Sequence, residues 1–203
     1  MTDFLREHVP PVPPLGTHAI EEVARSFLEA LLPDTLLEPK SLDLVSMIDI
    51  LLPEYGIHVC PASHEEIGDR AGATDPQGDG EIDILVSEDV WNSIDQSPPA
   101  CHFARTTVSH EIGHAVLHVP VLRRRLLLED ALNRIQRSNL QAYLDPEWQA
   151  WMFAGSILMP RPTLNMLATD GRFSISRVSE IYEVSLQMVR SHLKRIKWKV
   201  LDT

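Results

Sequence analysis

A chain of 203 residues, 44% hydrophobic and 23% charged, is long enough for one globular domain with a real core, and no apolar run in it approaches the ~18 residues of a membrane span. Its formal net charge of −11 repels phosphate backbones and so disfavours generic nucleic-acid binding. The two cysteines, Cys60 and Cys101, are far apart and lack CxxC spacing, so they read as free thiols in a reducing compartment; with no signal-peptide pattern at the N-terminus, a cytoplasmic location is expected.

Residues 1–17 carry the run PPVPP at 10–14 and read as an extended proline-rich arm, because proline fixes φ and lacks an N–H. A helix is predicted over 18–32, with Ile20, Val23, Ala24, Phe27, Ala30 and Leu31 on one face and Pro33 ending it. A second should start at Ser41 as N-cap and run to Pro53. The stretch IHVC at 57–60 and the alternating EIDILV at 81–86 read as strands, and the intervening AGATDPQGDG at 71–80 as a loop by composition. Helices follow over 105–118 and, from Pro146 at a first helical turn, over 146–159, with an ambiguous polar helix over 121–141 between them. Two short helices with a turn at 183–185 complete the chain. The expected class is α+β, mostly helical, with a small β-sheet.

The helix over 105–118 contains SHEIGHAVLH. His110 and His114 are i and i+4, so both imidazoles project from one face a turn apart and can meet one Zn²⁺ at about 2.0–2.1 Å. Glu111 is rotated away from that face but within reach of a metal-held water, which makes it the candidate general base. Gly113 and Ala115 allow another helix to pack closely. His118 lies roughly 12 Å along the axis from His110 and cannot join the same tetrahedron while the helix is intact, so it reads as a residue behind the ligands. A third ligand must then come from a later segment. Glu129 and Asp130 follow the run RRR and read as a solvated face; Asp145 suits an N-cap; Glu147 lies on the apolar stripe of its helix, three residues before Ala150. An inward acid needs a cation, although a first-turn glutamate is also favoured by the helix dipole alone.

Two stretches together, ARTTVSHEIGHAVLH and EWQAWMFAGSILMP, resemble the motifs of the ImmA/IrrE family of zinc metallopeptidases, through Arg105, Thr107, His110, Glu111, Gly113, His114 and His118 in the first and Glu147, Ala150, Phe153, Ala154, Leu158, Met159 and Pro160 in the second. The resemblance implies a zincin-like metallopeptidase domain over 18–170, with Zn²⁺ held by His110, His114 and Glu147 and Glu111 as catalytic base. It further implies a cytoplasmic, regulatory endopeptidase of narrow specificity, whose protein substrate is a regulator such as a helix-turn-helix repressor. Two positions depart from the pattern: Trp151 stands at the family's asparagine and Thr106 at its phenylalanine. Residues 171–203 resemble a helix-turn-helix, and residues 172–199 hold seven Lys/Arg against two Glu, leaving −16 on the rest of the chain. The turn lacks the usual glycine, which favours a helical pair packed on the domain over a DNA-binding element. The competing reading of the chain is a non-catalytic regulator or toxin–antitoxin partner, with a closed structural zinc site, that binds protein or DNA through those helices.

Overall fold

The structure, a computed structural model, describes residues 12–121, 123 and 143–198, together with the backbone of 8–9, 135–136 and 142. Most of the helix expected over 121–141, with Glu129 and Asp130, lies outside the described residues, as do the start of the arm and Lys199. The fold is α+β and mostly helical, with a three-stranded sheet.

Helix α1 (Thr17–Leu31) buries Ile20, Ala24 and Leu28, a stripe at four-residue spacing, and stops before Pro33. The next helix departs from expectation. It is capped by Asp43, whose carboxylate accepts from the Ser46 amide at 3.0 Å, not by Ser41. It runs as α2 (Leu44–Ser46) into a π-helical turn (Met47–Leu51), so its apolar residues follow no single 3.6-residue stripe.

Strands β2 (Ile57–Ala62), β3 (Gly72–Pro76) and β4 (Ile82–Ser87) form one sheet in the order β2-β4-β3; the two-residue strands β1 (His8–Val9) and β5 (Ile135–Gln136) pair separately. β2 runs parallel to β4, with Ile57 opposite Ile82, and β3 antiparallel to it, with Gly72 opposite Val86. β4 alternates cleanly: Ile82, Ile84 and Val86 face the core and the residues between them face outward. One expectation is corrected here. The segment expected as a loop over 71–80 contains a strand, because pairing with β4 overrides its Gly, Asp and Pro content. And 81–86 supplies the central strand, so the edge on that side is β3. Short helices α3 (His64–Ile67) and α4 (Glu88–Trp91) flank the sheet.

Helix α5 (Cys101–Leu117) runs through the middle of the molecule. It is buried nearly all round, including the polar Arg105, Thr107, Ser109, His110 and Glu111, because β3 and β4 cover one side and helix α6 (Pro146–Leu158) the other. Asp145 caps α6 by accepting from the Glu147 amide at 3.0 Å. α1 packs against α6 through an edge-to-face Phe27–Phe153 pair with centroids 5.5 Å apart. Three helices follow, one more than expected: α7 (Arg161–Thr169), α8 (Ile175–Tyr182) and α9 (Leu186–Arg195). Between α8 and α9 the chain turns without glycine, Glu183 itself adopting the left-handed conformation at φ 51°. Val178, Tyr182, Val184, Val189 and Leu193 join the common core, which places α9 against α6.

Candidate metal centre

The site is built where α5 and α6 cross. A Cβ on Gly113 would lie 3.0 Å from the Ala150 carbonyl oxygen, so the absence of a side chain lets the two backbones touch. On α5, His110 and His114 flank that contact point; on α6, Glu147 lies one turn before it. Close crossing therefore converges three side chains that belong to two helices. The Nε2 atoms of His110 and His114 are 3.1 Å apart, and the Glu147 carboxylate oxygens are 3.3 Å from His110 Nε2 and 3.4 Å from His114 Nε2. A tetrahedral site with bonds of about 2.0–2.1 Å has edges of about 3.3–3.4 Å, and each imidazole nitrogen stands at about that distance from the Glu147 oxygen nearest it, with one ligand atom from each of the three residues within 4.8 Å of the others. Among the described residues, these three form the group able to share one ion. Glu111 stands beside the group and is not a member of it.

Charge supports the same picture. Burial alone would raise the Glu147 pKa, but its two histidine partners outweigh that and hold the carboxyl far below the usual range. Burial disfavours the His114 cation, yet Glu147 more than offsets this and leaves its pKa raised. The cluster thus attracts a positive charge, a proton in the free protein or a metal ion in competition with it.

A hydrogen-bond chain behind His114 fixes which of its nitrogens faces the cluster. Gln149 donates through Nε2 to the carbonyls of Pro13 (3.0 Å) and Tyr143 (2.8 Å), so its Oε1 can only accept. That oxygen is 3.0 Å from His118 Nε2, which must carry the proton; His118 Nδ1 is then an acceptor. It lies 3.0 Å from His114 Nδ1, which must be N–H, leaving the Nε2 lone pair of His114 free to ligate. Burial, with the neighbouring His114 cation, pushes His118 down to about 4, so it is neutral as this chain requires. His118 is therefore behind His114 and outside the ligand group.

Two residues on β3 meet Glu111. Thr74 Oγ1 donates to its Oε2 at 2.8 Å, and a Cβ on Gly72 would come within 2.9 Å of its side chain. On the other side, the Trp151 ring lies 4.3 Å from the His110 ring, centroid to centroid, at a tilt of 38°. These groups line an open cleft of about 560 Å³ between the outer edge of β3 and the α5–α6 pair. Thr74, Gly72 and Gln149 escaped sequence reasoning. Only Gln149 left a signal, a lone amide among apolar residues on a fully buried helix face.

A strand-edged cleft over an HExxH helix, with a carboxylate arriving from the next core helix, defines a metallopeptidase-like site. Residues 104–194 match the family model described as Peptidase_M78, IrrE N-terminal-like domain, so this segment is similar to the ImmA/IrrE family. No curated protein matches the chain. No described helix is long and apolar enough to cross a membrane.

Proposed function

We propose that the protein is a zinc-dependent endopeptidase of narrow specificity that cleaves a regulatory protein, such as a helix-turn-helix repressor, in the cytoplasm. The observation that carries this reading is the tetrahedral edge spacing of His110, His114 and Glu147 beneath an open cleft. These three residues would hold the metal. Bound there, Zn²⁺ would supply Lewis acidity, which lowers the pKa of a water towards about 7 and polarises a carbonyl. Glu111 takes the proton from the attacking water on its carboxylate and returns it to the leaving amine. Thr74 holds the Glu111 carboxylate in position, and Gly72 leaves it the room to be there. The substrate lies extended along β3, whose free side borders the cleft, and pairs with it by strand addition.

A closed structural site would need a fourth protein ligand, and the group among the described residues has three. Glu111→Gln separates the two readings. Purified wild type and variant are incubated with helix-turn-helix repressors encoded beside the gene, and with casein as an unfolded control. The expected result is equal zinc content, single-site cleavage of one repressor by wild type alone, and intact casein. Unchanged turnover by Glu111→Gln would sink the catalytic assignment, and broad casein digestion the narrow one.

A further inference from the structure

Helix α9 carries three cations, Arg190, Lys194 and Arg195, with Lys197 just beyond its end, and none of the four is paired with a carboxylate among the described residues. The other basic residues nearby are neutralised: Arg172 by Asp170 at 2.5 Å and Arg177 by Glu180 at 3.2 Å. In a chain of net charge −11, an uncompensated row of this kind is conspicuous. Arg195 is the unusual member. Its Nη1 is buried and has no hydrogen-bond acceptor, and burial lowers its pKa. A half-buried guanidinium without a carboxylate partner among the described residues is costly, and an anion in a space that it lines would lower that cost.

Arg195 does not sit on a flat surface. It lines a trough of about 510 Å³ between α9 and the first turns of α5, with Met188 and Ser191 on one wall and His102 on the other. Among the described residues, no acid lines it. Trp151 and Phe103 belong both to this trough and to the cleft over the metal group, so the two spaces adjoin. Beyond Arg195 a second hollow continues past Lys194 and Lys197. The path from the cleft therefore crosses an aromatic step and enters a cationic channel that no acid among the described residues lines.

We propose that this trough is the recognition subsite for an acidic segment of the protein substrate, with Arg195 binding a glutamate or aspartate side chain; the proposal rests on the peptidase reading above. Its shape argues against DNA. A recognition helix must protrude to enter a major groove, whereas α9 is the wall of a recess and buries Val189, His192 and Leu193 against the domain. Trp151, at the departure from the family's asparagine, is then the partition between the bond-breaking site and the charge-reading one.

The test uses a peptide library made by digesting a bacterial proteome. In one arm, zinc-loaded protein cleaves the library and the cut sites are mapped by mass spectrometry. In the other, immobilised Glu111→Gln protein captures uncut peptides from the same library. Both arms are repeated with Arg195→Glu, and with the nearly isosteric Arg195→Gln should charge reversal unfold the helix, as judged by thermal melting. The expected result is about tenfold enrichment of Glu or Asp, at one fixed offset from the cut, abolished by Arg195→Gln and turned towards Lys or Arg by Arg195→Glu. Cleavage without acidic enrichment would overturn the subsite and leave the peptidase reading standing. Arg195-dependent capture of acidic peptides without cleavage would support the subsite and overturn the peptidase. A 30-base-pair duplex that displaces the acidic peptides at physiological salt, and binds more tightly than they do, would overturn it in favour of nucleic acid.

Discussion

Helix α6 is gripped at both ends by a contact that only glycine permits, and the two contacts serve different ends. Towards its N-terminus, Gly113 of α5 meets Ala150; towards its C-terminus, a Cβ on its own Gly155 would fall 2.2 Å from His192 Nδ1 of α9. Each crossing buries histidine. At the first, two imidazole lone pairs and a carboxylate converge within 3.1–3.4 Å and face a cleft. At the second, His192 is sealed in, its Nδ1 has no partner among the described residues, and burial with the Arg195 and Arg161 cations pushes its pKa down to about 3. Burial of a histidine thus does not make a ligand. Convergence of lone pairs around a space that lacks a cation does.

The largest contrast should appear in metal affinity. Glu147→Ala removes one donor and the negative charge that draws the cation, and should weaken Zn²⁺ binding by well over 100-fold in competition with a chromophoric chelator. His118→Ala removes only the residue that fixes the His114 tautomer, and should cost roughly 10–100-fold. His192→Ala should leave affinity unchanged. A ranking with His118 above Glu147 would break the comparison.

Stability should separate the crossings next. Gly155→Ala drives a methyl into a ring with no room to withdraw and should destabilise by about 3 kcal/mol in urea unfolding, with zinc stoichiometry intact. Gly113→Ala, 3.0 Å from a carbonyl, should cost less stability but also weaken Zn²⁺ binding, because it moves apart the helices that carry the donors. If zinc affinity responds equally to both, the crossings are not functionally distinct.

The smallest effect is one of pH. Folded His192 titrates at about 3 against about 6.5 unfolded, so between those values the unfolded chain binds more protons. Its neutral form therefore supports the fold fully above pH 6.5, and that support is lost as pH falls towards 3. Lowering pH from 7 to 5 should cost about 2 kcal/mol through this residue. In His192→Gln, that share of the pH dependence of the urea midpoint should vanish; an unchanged slope would assign it elsewhere.

The metal side of this comparison was largely legible in sequence because its rules are local. His110 and His114 are one turn apart, Glu147 is one turn before Ala150, and helical period alone puts each on the right face. What surrounds Glu111 was not legible. Gly72 and Thr74 come from a stretch whose composition reads as a loop, and it is a strand only because β4 lies alongside it. The chain behind His114 was equally hidden, since it is anchored on carbonyls of Pro13 and Tyr143, brought there by the fold and not by spacing. The cap at Asp43 instead of Ser41 was a choice between two good capping residues that only packing decides.

An open site with three protein ligands has a distinct signature in zinc K-edge X-ray absorption of the purified protein. The expected result is one zinc per chain, two imidazoles and oxygen ligands at about 2.0–2.1 Å, with one oxygen shell component lost on Glu147→Ala and no change in the imidazole shell on His118→Ala. A third imidazole that disappears with His118, or a fourth protein ligand closing the site, would contradict it.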